Sequence, residues 1–317
     1  MTVSEDPYLT SLKADGFVVV RNVVSGDALK ALQEAAIRTA NKARAGDWPH
    51  VRTVGKQFPP WDRWDRAAAE KAKASNGVDQ PGIWGVQHLM CPEMGAQDAG
   101  IFTQSYFAQD GVLDVAKRVL ACSDDDLVME LYNMLVRPDY KDYELRWHRD
   151  DIGPDATPAE EMERLQAPAF HAQWNLALWD DASLIVVPGS HKRARTEGER
   201  AADPYQATLP CDKAAGHRPQ LTVQLGPGDA VFYNNNILHR GVYQTAVERT
   251  TLHGSVGHVG GNALRARNVL QHGVGDWVER CDFSVLTETE RARAEGMRAR
   301  LIKMGRESGP VGYSLKD

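Results

Sequence analysis

From Leu127 onward the chain is a succession of short β-favouring segments cut by Gly, Pro and Asp turns, and this pattern constrains the fold most. The segments are Leu127–Val136, Leu184–Val187, Leu221–Leu225, Ala230–Tyr233 and Thr250–Val256. Pro188-Gly189 and Gly226-Pro227-Gly228-Asp229 stand between them. Such residues preset φ, permit positive φ, or bond their own backbone, so they break strands at defined places. Several short strands joined this way imply a sandwich or barrel.

The first 126 residues read differently. Phe17-Val18-Val19-Val20 is a short strand after the turn pair Asp15-Gly16. Ser25 opens a long helix with Leu29, Leu32, Ala36 and Ile37 on one face, and Gly46 stops it. Asp47 to about Gly95 has no clean period and is expected to be irregular cover; residues 111–120 are helical again. Thr157-Pro158-Ala159-Glu160 is a capping box with proline at the first helical position, so a short helix is expected there as a lid beside the site. Thr287-Glu288-Thr289-Glu290 opens a second helix, through about Met304, expected to be a solvated packed support. No repeat or linker divides the chain. One domain over 1–317 is expected: 1–126 as mostly helical support and cover, 127–260 as the strand-rich core with the metal site, 261–317 as an extension with a helix.

Composition serves here to exclude. A formal net charge of −6 argues against a nucleic-acid partner, which usually calls for a basic stripe. No apolar run reaches bilayer length, so no membrane role is expected. Met1 to Leu12 carries Glu5 and Asp6 and lacks the basic-then-apolar order of a signal peptide. Cys91, Cys122, Cys211 and Cys281 form no C-x-x-C pair, and free thiols in a reducing cytoplasm are the expectation.

The chemistry centres on His148-Arg149-Asp150, then His239, then Arg249. Residues two apart in an extended segment share a face, so His148 and Asp150 project together while Trp147 and Arg149 face away. His239 is expected to close the strand that follows Gly228-Asp229. Two imidazoles and one carboxylate occupy one face of a metal ion and leave the other open, the arrangement of non-haem Fe(II) oxygenases. Arg249 can pair bidentately with the far carboxylate of a bound 2-oxo acid, and Thr251, on the same face, can add a hydroxyl. H-x-D alone is weak, because ten histidines and 43 acidic residues produce copies by chance. The ordered set is what is specific.

With that set in view, the chain resembles the phytanoyl-CoA dioxygenase family, a branch of the Fe(II)/2-oxoglutarate-dependent oxygenases. Asp15-Gly16-Phe17-Val18-Val19-Val20 and the helix after it resemble the family's opening, and Tyr132-Asn133-Met134-Leu135 the strand before its metal motif. Gln173-Trp174-Asn175-Leu176-Ala177-Leu178, Leu184-Ile185-Val186-Val187-Pro188-Gly189-Ser190-His191-Lys192 and Gly228-Asp229-Ala230-Val231-Phe232-Tyr233 are similar to its later blocks. The resemblance implies a mainly β fold with flanking helices around a double-stranded β-helix, the jelly-roll or cupin-like core. It implies His148, Asp150 and His239 as iron ligands, Arg249 on the 2-oxoglutarate C5 carboxylate, and Met134 and Trp174 lining the 2-oxoglutarate pocket. The implied cofactors are Fe(II), 2-oxoglutarate as co-substrate, and O₂. The implied reaction oxidises a C–H bond of a small molecule, with hydroxylation as the default, releases succinate and CO₂, and belongs to biosynthesis.

Two departures bear on substrate. The segment between Asp150 and Trp174 is long, and Asp181-Ala182-Ser183 replaces the family's frequent Asn-Gly, so a coenzyme A ester is not implied. Two other classes fit the same ligands: a divalent-metal hydrolase that activates water, and a non-catalytic jelly-roll binding protein. His191 reads as structural, and His253 and His258 as core or surface residues. Trp61, Trp64 and Trp84 with His88 are expected to pack over the barrel and form part of the substrate wall.

Overall fold

The β-favouring segments pair antiparallel into two sheets that face each other. The strands are β1 (Phe17–Val20), β2 (Val51–Thr53), β3 (Ile83–Val86), β4 (Leu127–Val136), β5 (Tyr143–Glu144), β6 (His171–Ala177), β7 (Leu184–Val186), β8 (Leu221–Thr222), β9 (Ala230–Tyr233), β10 (His239–Tyr243) and β11 (Thr250–His258). The larger sheet has the order β1-β9-β6-β11-β4-β3-β2 and the smaller β5-β10-β7-β8. Together they make the jelly-roll core of a double-stranded β-helix. This computed structural model describes residues 6–261 and 263–312; Glu5 lies outside them.

The helices are α1 (Pro7–Asp15), α2 (Gly26–Arg44), α3 (Arg66–Ala74), α4 (Ala96–Phe107), α5 (Val112–Leu120), α6 (Pro158–Gln166), α7 (Glu197–Ala201), α8 (Ala263–Leu270) and α9 (Glu288–Ser308). One apolar core joins α2, α4, α5 and α9 to the outer face of the larger sheet. In α2 the buried stripe is Leu32, Ala35, Ala36, Thr39, Ala40 and Ala43. Ile37 falls off it and is 51% exposed, because it sits one residue, about 100° of rotation, beyond Ala36. The C-terminal α9 buries Ala294, Met297 and Leu301 and fastens the start of β4, its Arg300 Nε donating to the Leu127 carbonyl at 2.5 Å.

The stretch expected to be irregular contains β2 and β3, which extend the larger sheet beside β4. No alternation marks β3, since all four of its residues are buried. The same holds for β4, buried at every one of its ten positions. Helices cover one face of this sheet and the smaller sheet covers the other, so both faces are apolar or enclosed.

That double burial decides where Met134 and Trp174 point. Met134 is in register with Leu252 of β11, and Gly254 with Trp174. A Cβ added at Gly254 would come within 2.4 Å of Trp174 Cζ2, so the indole lies directly over this glycine. Both side chains belong to the helix-facing core with Phe232 and Tyr106. Gly254→Ala is therefore expected to overpack that layer and cost roughly 1–3 kcal/mol or more. Urea unfolding measures it, and an unchanged midpoint would place the indole elsewhere.

Candidate metal centre and active-site cavity

The two imidazoles of the motif are brought together by the backbone. His148 N donates to the His239 carbonyl at 3.0 Å and His239 N to the His148 carbonyl at 3.1 Å. His239 opens β10 where it was expected to close the preceding strand: β9 ends at Tyr233, and a turn through Asn234–Leu238 intervenes. The H-x-D segment lies outside the named strands, yet the parity holds, with His148 and Asp150 pointing one way and Arg149 the other.

Ligand atoms of His148, Asp150 and His239 lie within 4.8 Å of one another. Asp150 Oδ1 is 3.4 Å from His148 Nε2 and 3.7 Å from His239 Nε2. Each ring meets, through Nδ1, the carbonyl two residues before it: Arg146 O at 2.8 Å and Ile237 O at 2.9 Å. Those carbonyls hold the proton on Nδ1 and leave each Nε2 lone pair free for a cation. Gln173 Nε2 donates to Asp150 Oδ2 at 2.9 Å, which turns Oδ1 toward the histidines. Burial, with His148 alongside, lowers the His239 pKa to about 4, so its ring is neutral near pH 7. Burial raises the Asp150 pKa, but His239, His148 and the Gln173 hydrogen bond outweigh that and hold it well below the usual carboxylate range. This side chain is 32% exposed and lines the cavity beside the triad.

Arg149 anchors the motif from behind. Its Nη1 donates to the carbonyls of Ser190 (3.1 Å) and Asn236, and its Nη2 to that of Arg193 (3.0 Å). Glu161 of α6, with no exposed surface, is 3.4 Å from Arg149 Nε and also meets Arg195 and Arg200. The helix expected to be a lid is thus a buttress under the metal motif. His191 is structural, its ring against Gly16 and its Nε2 on the Lys13 carbonyl at 3.2 Å.

The cavity beside the triad measures about 150 Å³, far more than one water needs. Leu135, Gln173, Asn175, Tyr233 and His253 face it, the neighbours of opposite parity to Met134 and Trp174. The expectation that Met134 and Trp174 line a co-substrate pocket is corrected by this placement. Of the expected aromatic wall, Trp61 and Trp84 line the cavity, whereas Trp64 and His88 are buried outside it. Phe58 sets its ring edge against His148, centroids 5.6 Å apart. His253 Nδ1 meets Asn175 Oδ1 at 2.9 Å, and His258 lies away from the cavity beside Cys122 and Asp126.

Arg249 is buried beyond Tyr243, whose ring centroid is 4.7 Å from its guanidinium carbon. Its Nε pairs with Asp181 Oδ1 at 2.8 Å and its Nη2 donates to Thr251 Oγ1 at 2.8 Å. Nη1 is buried without a partner. The resemblance had flagged Asp181 only as a departure; its role as the counter-charge of Arg249 needed the tertiary contact.

A family model, phytanoyl-CoA dioxygenase (PhyH), matches residues 12–247. No curated protein sequence matches the chain. Among solved structures, AviO1 from Streptomyces viridochromogenes Tue57 superposes with a TM-score of 0.51 at 16% identity, covering 81% of this chain and 96% of that one. EctD from S. alaskensis with 2-oxoglutarate and 5-hydroxyectoine gives 0.52 at 18% identity, covering 80% and 76%. At such identities the likeness is one of fold. The matched span takes in all three clustered residues and most of the jelly roll, and the chain belongs to the phytanoyl-CoA dioxygenase family.

Proposed function

We propose that this protein is an Fe(II)- and 2-oxoglutarate-dependent oxygenase that oxidises a C–H bond of a small molecule, hydroxylation being the simplest outcome. The observation that carries the reading is the convergence of two free Nε2 atoms and one carboxylate oxygen within 4.8 Å. His148, Asp150 and His239 would hold the ferrous ion. The orphaned Nη1 of Arg249 would receive the far carboxylate of 2-oxoglutarate, beside the Thr251 hydroxyl. When bound, the ion and the co-substrate supply the oxidising power from O₂, with succinate and CO₂ as by-products.

The chain's own share is positioning and exclusion. Gln173 holds Asp150 in one orientation, and the two carbonyl-bound imidazoles cannot rotate without losing those bonds. Phe58, Pro59 and Trp61 line the cavity and would limit water beside a bound substrate. EctD, whose structure holds 2-oxoglutarate and 5-hydroxyectoine, supports a small-molecule substrate.

Anaerobic addition of Fe(II) and 2-oxoglutarate is expected to produce a weak visible charge-transfer band, and admission of O₂ to release succinate. A protein that gives no band yet hydrolyses esters or amides with zinc would be a hydrolase.

A further inference from the structure

Arg52 lies on β2 in register with Gly85 of β3, which is in register with Leu135 of β4. Gly85 has no side chain, and a Cβ there would meet Arg52 Cδ at 3.1 Å. The guanidinium is therefore laid across β3 into the cavity that His148, Asp150 and His239 also line. Its carbon is 5.0 Å from the Trp61 ring centroid and 5.2 Å from that of Trp84.

Arg52 is 8% exposed, and its Nε is buried without a hydrogen-bond partner. Burial lowers its pKa to about 10, the opposing influences being Tyr243, Tyr233, Asp150 and Tyr143, with no hydrogen bond among them. The other arginines buried among the described residues each face a carboxylate: Arg149 with Glu161, Arg240 with Glu144, Arg249 with Asp181. Arg52 alone of these has none. The indoles attract a cation through their ring faces but accept none of its N–H donors. An uncompensated buried charge is costly, so a partner from outside the chain explains its retention. Gln57 Nε2, another cavity donor, is likewise buried and unpartnered.

We propose that Arg52, with Gln57, anchors a carboxylate on the substrate, so that the enzyme acts on small organic acids with an apolar body. The proposal takes the cavity beside the triad to be the substrate site, as the oxygenase reading does. Arg52 is distinct from the co-substrate anchor. The register Arg52–Gly85–Leu135–Thr251 sets β2 three strand spacings from β11, about 14 Å between backbones. A planar carboxylate suits a guanidinium edge, and Trp61 and Trp84 suit the apolar body.

The test uses matched acid and amide pairs: benzoate, phenylacetate, 3-phenylpropanoate and indole-3-acetate, each against its primary amide. Binding is read by thermal shift and tryptophan fluorescence, on the metal-free protein and on protein loaded anaerobically with Fe(II) and 2-oxoglutarate. At least one acid is expected to bind about tenfold or more tightly than its amide. Arg52→Gln should erase that preference and leave the 2-oxoglutarate titration of the visible band unchanged. Arg52→Met should keep or raise the Tm, because an uncompensated charge leaves the interior. Three results overturn the proposal: no acid preferred over its amide, Arg52→Gln weakening 2-oxoglutarate alone, or Arg52→Met unfolding the protein as loss of a structural residue would. An acid preference that survives while the band fails to form would sink the oxygenase reading and leave the anchor standing.

Discussion

Asp150→Ala is expected to abolish stable ferrous-ion binding and with it all succinate release, while the fold persists. The carboxylate is the one negatively charged member of the triad, and Oδ1 is the atom that faces both Nε2 positions. Losing an outer partner of a metal ligand typically costs 10–100-fold in affinity, and losing a ligand itself should exceed roughly 100-fold. His148→Ala should behave alike, since a single imidazole and a carboxylate no longer define a face. The fold should survive because Asp150 contributes to the cavity wall and not to the apolar core. Metal analysis after dialysis, the anaerobic band and a Tm within a few degrees of wild type make the test. An Asp150→Ala protein that still carries iron at wild-type occupancy would rule out this triad as the metal site.

The second large effect is expected at Glu161, far from any reacting atom. Its carboxylate meets Arg149, Arg195 and Arg200, and accepts from the Arg195 backbone N at 2.7 Å. Glu161→Gln keeps the volume and removes the charge. Arg149, with no exposed side-chain surface, is then left uncompensated, a change that costs about 3–5 kcal/mol when one member of a buried pair is removed. Iron affinity should fall as well, because Arg149 ties the H-x-D segment to the Asn236 carbonyl of the turn leading into His239. The double variant Glu161→Leu with Arg149→Met should recover part of the stability, since the fully buried charge of Arg149 is gone, and only part, since Arg195 and Arg200 still lose their carboxylate. Denaturant unfolding of the three proteins decides it. Equal stability of Glu161→Gln and wild type would show that α6 does not support the site.

Legibility followed local geometry. β4 and β9 fall on the segments expected from composition and turns. The capping boxes at Thr157 and Thr287 open helices as expected, because a cap is made within one turn of chain. That Thr251 shares a face with Arg249 was legible from their two-residue spacing along one strand, whereas its hydroxyl's acceptance of a hydrogen bond from Arg249 Nη2 was not. The role of α6 was not legible: a capping box says where a helix begins and nothing about what Glu161 will meet.

By itself, then, the sequence determined which residues alternate, where strands break, and which three side chains had metal-ligand chemistry in the right order. The tertiary structure decided which face of each alternation meets the cavity. For β4, buried at every position, and β6, buried at all but its first, parity is readable but its sign is not, so Met134 and Trp174 could be assigned to the cavity although they lie in the helix-facing core. It also decided that β2 and β3 exist at all, since strands enclosed on both sides carry no polar rhythm. Arg52 follows the same reason: a charged residue in a three-residue strand looks like surface until the missing side chain of Gly85 opens a path inward.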